Sequence, residues 1–231
     1  MKRLEHKAAL VIGGESGMGY VAAKEFLVEG ATVIITARNE KELHEAVKSL
    51  GSGAQGILSD AEVMNDVKSL PDKVRSMANS LDVIFLNDEH SSIQALETNN
   101  TDYFDAMEES YAEGVSFAIQ QLLSIIHNGA SIVVNRTTAL TKAIPGYSAM
   151  SSKGKVMLTK TLTHELAARN IRVNSVSAGG FFEPSTTILF LASDDSSYVT
   201  GIDLAVDGDK ADSSKALTER LPRQLKFLDR A

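Results

Sequence analysis

The sequence predicts a single α/β domain built on a doubly wound parallel sheet. Short β-branched runs alternate with stretches of helical period along most of the chain, the pattern of strands whose helices cross back to the next parallel strand. A glycine cluster, Gly13-Gly14-Glu15-Ser16-Gly17-Met18-Gly19, separates the apolar run Ala8–Ile12 from the helix-forming stretch Tyr20–Leu27. The 231 residues, 43% of them apolar, suffice for one substantial core and a sheet covered on both faces.

The elements follow in order. Ala8–Ile12 and Thr32–Thr36 read as strands, and the helix between them closes at Glu29-Gly30, where a glycine suits the end of a helix. Glu40–Leu50 has helical character and is followed by a turn containing Gly51, Gly53 and Gly56, then the short run Gly56–Ser59. A helix covers Val63–Asn79, interrupted or restarted near Pro71, whose ring clashes with the preceding turn of a helix. Strands are expected at Asp82–Leu86, Ser131–Val134 and Ile171–Val176, and long helices over Tyr103–His127 and Ser151–Arg169. The domain is expected to span residues 1–208. The charged stretch 209–231 carries Leu217, Leu221, Leu225 and Leu228 at helical spacing, a segment to be packed on the domain or on a partner subunit.

Composition narrows the function classes. A net charge of −7 argues against a nucleic-acid footprint, which needs a basic face. No apolar run approaches a membrane span. Lys2, Arg3 and Lys7 precede an apolar run of only five residues, which reads as a first strand rather than a signal peptide. Zero cysteines exclude disulfides, thiolate metal sites and a cysteine nucleophile, and the five scattered histidines lack the paired spacing of a metal site. A cytoplasmic location is the simplest expectation.

The strand–glycine turn–helix order around Gly13, Glu15, Ser16, Gly17, Met18 and Gly19 is how a backbone cradles a dinucleotide pyrophosphate. Glycine permits the tight turn and close approach, and the helix N-terminus offers free N–H groups and the positive end of its dipole. The spacing is GxxxGxG rather than GxGxxG.

This glycine cluster, together with Leu81-Asp82-Val83-Ile84, Ile171-Arg172-Val173-Asn174-Ser175-Val176, Phe190–Asp194, Tyr198-Val199-Thr200-Gly201 and Val206-Asp207-Gly208, resembles the short-chain dehydrogenase/reductase family. The resemblance runs to about residue 208. It implies a Rossmann-type fold, an NAD or NADP cofactor, a small-molecule carbonyl or alcohol substrate, and a homodimer or homotetramer built on the two long helices. It also implies that Asp60 meets the adenine amino group, that the signature holding Asn87 supports the sheet and lines the adenosine side, and that Gly179 belongs to the turn after the sixth strand. NAD-selective members carry an acid at the end of the second strand. This chain has Ala37, Arg38 and Asn39, and a guanidinium beside a small residue suits a 2′-phosphate, so NADP is expected over NAD.

Against the family pattern the chemical end of the pocket is altered. Where the family has Asn-Asn-Ala-Gly this chain has Leu86-Asn87-Asp88-Glu89, and Tyr111 stands where a helix asparagine is expected. The catalytic serine position holds Thr138, which keeps a hydroxyl able to polarise a carbonyl. The Tyr-x-x-x-Lys pair is missing in every register. Anchoring on Tyr147 puts Ser151 in the lysine place, anchoring on Lys153 puts Ala149 in the tyrosine place, and the downstream helix puts Ser148 and Ser152 in the two places. After the sixth strand, Ala178-Gly179 and Phe181-Phe182-Glu183-Pro184 run almost directly into Ser185–Ala192, without the family's long substrate loop.

Three readings remain open on residues alone. One is an NADP-linked oxidoreductase with an altered site, in which Tyr147 is acid/base, Thr138 polarises the carbonyl and Lys153 or Lys155 assists. The second is a catalytically inactive nucleotide-binding or scaffold protein of the same fold. The third is a domain that binds another adenine nucleotide or none.

Overall fold

The computed structural model describes residues 2–61, 63–88, 115–137, 147–178 and 185–206, with side chains omitted for 88, 136–137, 147–156 and 178. Seven strands form one parallel sheet in the order β3-β2-β1-β4-β5-β6-β7. They are β1 (Ala8–Ile12), β2 (Thr32–Ala37), β3 (Ala54–Leu58), β4 (Leu81–Asp88), β5 (Ile126–Thr137), β6 (Arg172–Ala178) and β7 (Asp203–Val206). The described helices are α1 (Gly17–Val28), α2 (Glu40–Leu50), α3 (Met64–Arg75), a helical segment over 115–122 designated α4, α5 (Tyr147–Leu166) and α6 (Ser185–Ala192). The doubly wound α/β fold expected from the sequence is the one observed.

Strand alternation distributes the core. Leu10, Ile84, Ile132 and Val173 turn to one face with residues of α3, α4 and α5. Val11, Phe85, Val133 and Val176 turn to the other with residues of α1, α2 and α6. Both faces are covered, so the central strands are apolar almost throughout rather than alternating with polar residues. Helix α1 buries Gly19, Ala22, Ala23 and Phe26, whose spacing puts them on one stripe.

Several boundaries differ from the sequence reading. The helix expected through His127 has ended by residue 122, and β5 already begins at Ile126. Arg169 secures that entry by donating to the carbonyls of Leu123 and Ile126 and to Asn128. Helix α3 runs through Pro71 but stops at Arg75, short of Asn79. Strand β7 was not foreseen as a strand. It is held by β6, where Asn174 donates to the Val199 carbonyl and accepts from Ile202 N–H, and Ser175 and Ser177 both donate to Asp203. No described helix is long and apolar enough to cross a membrane. The tail at 209–231 lies outside the described residues.

Candidate functional site

The chain leaves β1 toward β2 and β3 on one side, then returns to place β4 on the other side of β1. Such a reversal opens a crevice at the carboxyl ends of the two flanking strands, where open α/β sheets bind ligands. Because all strands are parallel, the residues following them collect at that same edge. Gly13 follows β1, Arg38 follows β2, Ser59-Asp60 follow β3, and Asn87 stands one residue before the end of β4. Tyr147 opens α5, and Lys153 lies six positions along the same continuous helix. Six residues are about 9 Å of rise and 240° of rotation, not one shared face. Thr138, Gly179, Glu89, Tyr111 and Phe181-Phe182 lie outside the described residues.

The glycine turn is defined by close contacts. Gly13 has φ +72° and Gly17 φ +51°, both in the left-handed region. A Cβ on Gly14 would stand 2.7 Å from Ile35 Cβ, and one on Gly19 would stand 1.8 Å from the Gly13 carbonyl oxygen. Gly13 is fixed at both of its polar groups. Its N–H donates to Thr36 Oγ1 at 3.2 Å, and its carbonyl accepts from Asn87 Nδ2 at 3.1 Å. Gly14 N–H donates to the Thr36 carbonyl at 3.0 Å. Ser16 takes the N-cap position of α1 in extended conformation without a side-chain cap bond, and no acid lies in the first helical turn. Glu15, directly before the cap, has a carboxylate oxygen enclosed in the fold, and the first turn itself holds no acid.

The remaining expected residues divide by role. Arg38 is exposed and has no hydrogen-bond or ion-pair partner among the described residues. The side-chain oxygen of Asn39 caps α2, accepting from Lys41 N–H at 2.9 Å and Glu42 N–H at 3.2 Å, so its carbonyl is committed to the helix. Asp60 N–H donates to Asp66 Oδ2 at 2.9 Å, which joins the end of β3 to the start of α3. Asn87 bonds to protein on both sides of its amide, since its Oδ1 also accepts from Asn135 Nδ2 at 2.7 Å. Beside the turn, a shallow groove between α1 and α2 is lined by Glu15, Tyr20, Glu42, Glu45 and Ser49.

Thr36 and Asn135 escaped the sequence reading. Each sits inside an apolar strand, and only the three-dimensional pairing of strands shows that they bear on Gly13. Arg172 was read as a family mark, and its work is structural. Its buried guanidinium donates to the carbonyls of Leu191 and Ser193 and to Ser196 Oγ, satisfying the carboxyl end of α6. Burial lowers its pKa from the ordinary arginine value, and Asp194 nearby opposes that shift.

An open parallel sheet with a glycine turn at its switch point defines a Rossmann-type nucleotide-binding class. The family model described as Enoyl-(Acyl carrier protein) reductase matches residues 12–186. A 3-oxoacyl-(acyl-carrier-protein) reductase of Thermotoga maritima is 31% identical, the match covering 89% of this chain and 98% of that protein. A cyclopentanol dehydrogenase of a Comamonas species is 28% identical over 90% of this chain and 98% of its own. Among solved structures, a short chain dehydrogenase from Mycobacterium smegmatis superposes with a TM-score of 0.80 at 25% identity, covering 91% of this chain and 95% of that one. The chain belongs to the short-chain dehydrogenase/reductase family. Membership implies an NAD(P) cofactor, and the turn fits one: a Cβ at Gly13, Gly14 or Gly19 would stand within 3 Å of protein atoms, so the backbone there stays bare.

Proposed function

We propose that this protein is an NADP(H)-dependent oxidoreductase acting on a small carbonyl or alcohol substrate, with an altered catalytic site. The observation that carries the cofactor choice is Arg38, an unpartnered exposed guanidinium directly after β2, beside the buried Ala37. A 2′-phosphate at the strand's end pairs with a guanidinium fork and meets no acid there. Gly13 shapes the turn, with its own N–H committed to Thr36, while Ser16, Gly17 and Gly19 offer backbone N–H groups to the pyrophosphate beside Glu15 and Met18. Asp60, the free amide nitrogen of Asn39, and Gly179 complete the cofactor contacts, with Asn87 acting through Gly13.

The dinucleotide supplies the hydride when bound. The chain supplies the proton and the orientation: Thr138 polarises the substrate oxygen, Tyr147 exchanges a proton with it, and Lys153 assists from another direction. General acid–base catalysis contributes about 10²–10⁴-fold, so loss of the tuned tyrosine leaves a slow enzyme. The names of the relatives support the substrate class, one being a carbonyl reductase of acyl chains and another an alcohol dehydrogenase. The homodimer or homotetramer expected of the family belongs to the same proposal.

A second reading, a nucleotide-binding protein without turnover, is favoured by one geometric fact. Tyr147 and Lys153 lie on one unbroken helix at a separation that keeps them off a shared face. A shortened substrate loop points the same way. The alignment with the Thermotoga reductase extends over 244 positions although 89% of these 231 residues take part, so the relative carries stretches that this chain lacks. Titration of the purified protein with NADPH and NADH, followed by nicotinamide fluorescence, tests the cofactor. Micromolar NADPH binding with much weaker NADH binding is expected, and failure to bind either removes the oxidoreductase reading. Turnover of a panel of aldehydes and ketones then separates the slow enzyme from the silent one.

A further inference from the structure

We propose that Asn135 is a positioning residue for the dinucleotide, setting the glycine turn through Asn87 and so linking β5 to the phosphate end of the crevice. This rests on the reading of the crevice as a dinucleotide site. The direction of the hydrogen bonds follows from Gly13. A carbonyl can only accept, so the amide nitrogen of Asn87 faces Gly13 and its oxygen faces β5. Asn135 is the register partner of Asn87 across the parallel pair, and it donates Nδ2 to that oxygen at 2.7 Å.

The arrangement leaves a remainder. Asn135 is 1% exposed, and its own Oδ1 is enclosed without a hydrogen-bond partner among the described residues. An unmatched buried acceptor is destabilising, and a side chain kept only to pack a central strand avoids it by being apolar. The neighbours on that face are apolar: Val133 two residues earlier on β5 and Val176 across the register on β6. The one bond the Asn135 amide makes goes to Asn87, so its effect falls on the orientation of Asn87. That orientation matters locally because Gly19 packs into the same corner, where a Cβ would stand 2.9 Å from Asn87 Nδ2. An amide free to rotate releases the Gly13 carbonyl and with it the seat of α1.

The test uses Asn135→Leu in the full chain. Leucine removes one unpaired acceptor and creates another at Asn87 Oδ1, so a purely structural role predicts little change beyond global stability. Positioning predicts about tenfold faster hydrogen exchange at the 13–19 amides of cofactor-free protein, with exchange at Gly201 on the far side of β6 unchanged. It also predicts NADPH binding weaker by about tenfold, and no further loss when Asn135→Leu is added to Asn87→Leu. Unchanged exchange at the turn, or independent losses in the double variant, overturns the proposal. Should the wild-type protein bind neither dinucleotide, the functional reading falls while the exchange measurement still judges the link. If the leucine variant does not fold, Asn135→Ala carries the same expectations.

Discussion

Gly19 lies against the carbonyl oxygen of Gly13 so closely that a methyl group there would stand 1.8 Å from it. The obstructing atom is backbone, and no rotamer change relieves it. Gly19→Ala must therefore push α1 off the sheet or open the turn. Overpacking of this kind costs about 1–3 kcal/mol, or a fall in melting temperature of roughly 2–12 °C for a chain of this size. Dinucleotide binding should be lost along with it. A thermal melt at wild-type temperature with intact NADPH binding would contradict the contact.

Thr36 offers a gentler probe of the same turn. It is 2% exposed and its hydroxyl accepts from Gly13 N–H, so Thr36→Val keeps the shape and removes the acceptor. The expected cost is about 1–2 kcal/mol in denaturant unfolding, the usual consequence of leaving a buried donor unmet. A neutral substitution would mean that Gly13 N–H finds water or another partner.

Arg38→Ala should separate the two cofactors. Removing a charge-assisted fork to a phosphate is expected to weaken NADPH binding by about 10–100-fold, while NADH changes little. Raising the ionic strength should weaken NADPH binding of the wild type by screening the same interaction. Equal losses for both dinucleotides would assign Arg38 some other role.

Arg172 should be among the least replaceable residues outside the crevice. Arg172→Met removes the guanidinium from the Leu191 and Ser193 carbonyls, which keep hydroxyl donors from Ser131 and Ser196, and the expected loss is about 1–2 kcal/mol by equilibrium unfolding. Lysine is not expected to rescue it, because a point charge cannot reproduce a planar fork reaching several oxygens. By contrast, Arg3→Ala removes an exposed pair with Asp195 and should change stability by less than about 1 kcal/mol.

The catalytic departure is also testable by restoration. Ser148→Tyr with Ser152→Lys places the family pair one helical turn apart on α5. Under the proposed reading of a short substrate loop, turnover of a carbonyl panel with NADPH is expected to rise by less than about tenfold, because acid–base chemistry alone does not position a substrate. A rise of several orders of magnitude would show that the pair alone limits the wild type.

The sequence by itself determined the class of fold, the order of its elements and the location of the glycine turn. These depend on local period and on glycine geometry, both of which are written along the chain. It also placed Arg38, Asp60 and Asn87 at strand ends, which parallel connectivity then gathers at one edge. Tertiary structure decided what those residues do. Both ends of the Asn87 amide are engaged, one by Gly13 and the other by Asn135. Asn39 gives its carbonyl to the start of α2. Thr36 and Asn135 carry no signal in a run of β-formers, since a strand's own period shows which face a residue takes but not what stands beside it. Only the register of β1, β2, β4 and β5 brings Thr36, Gly13, Asn87 and Asn135 into one hydrogen-bonded row.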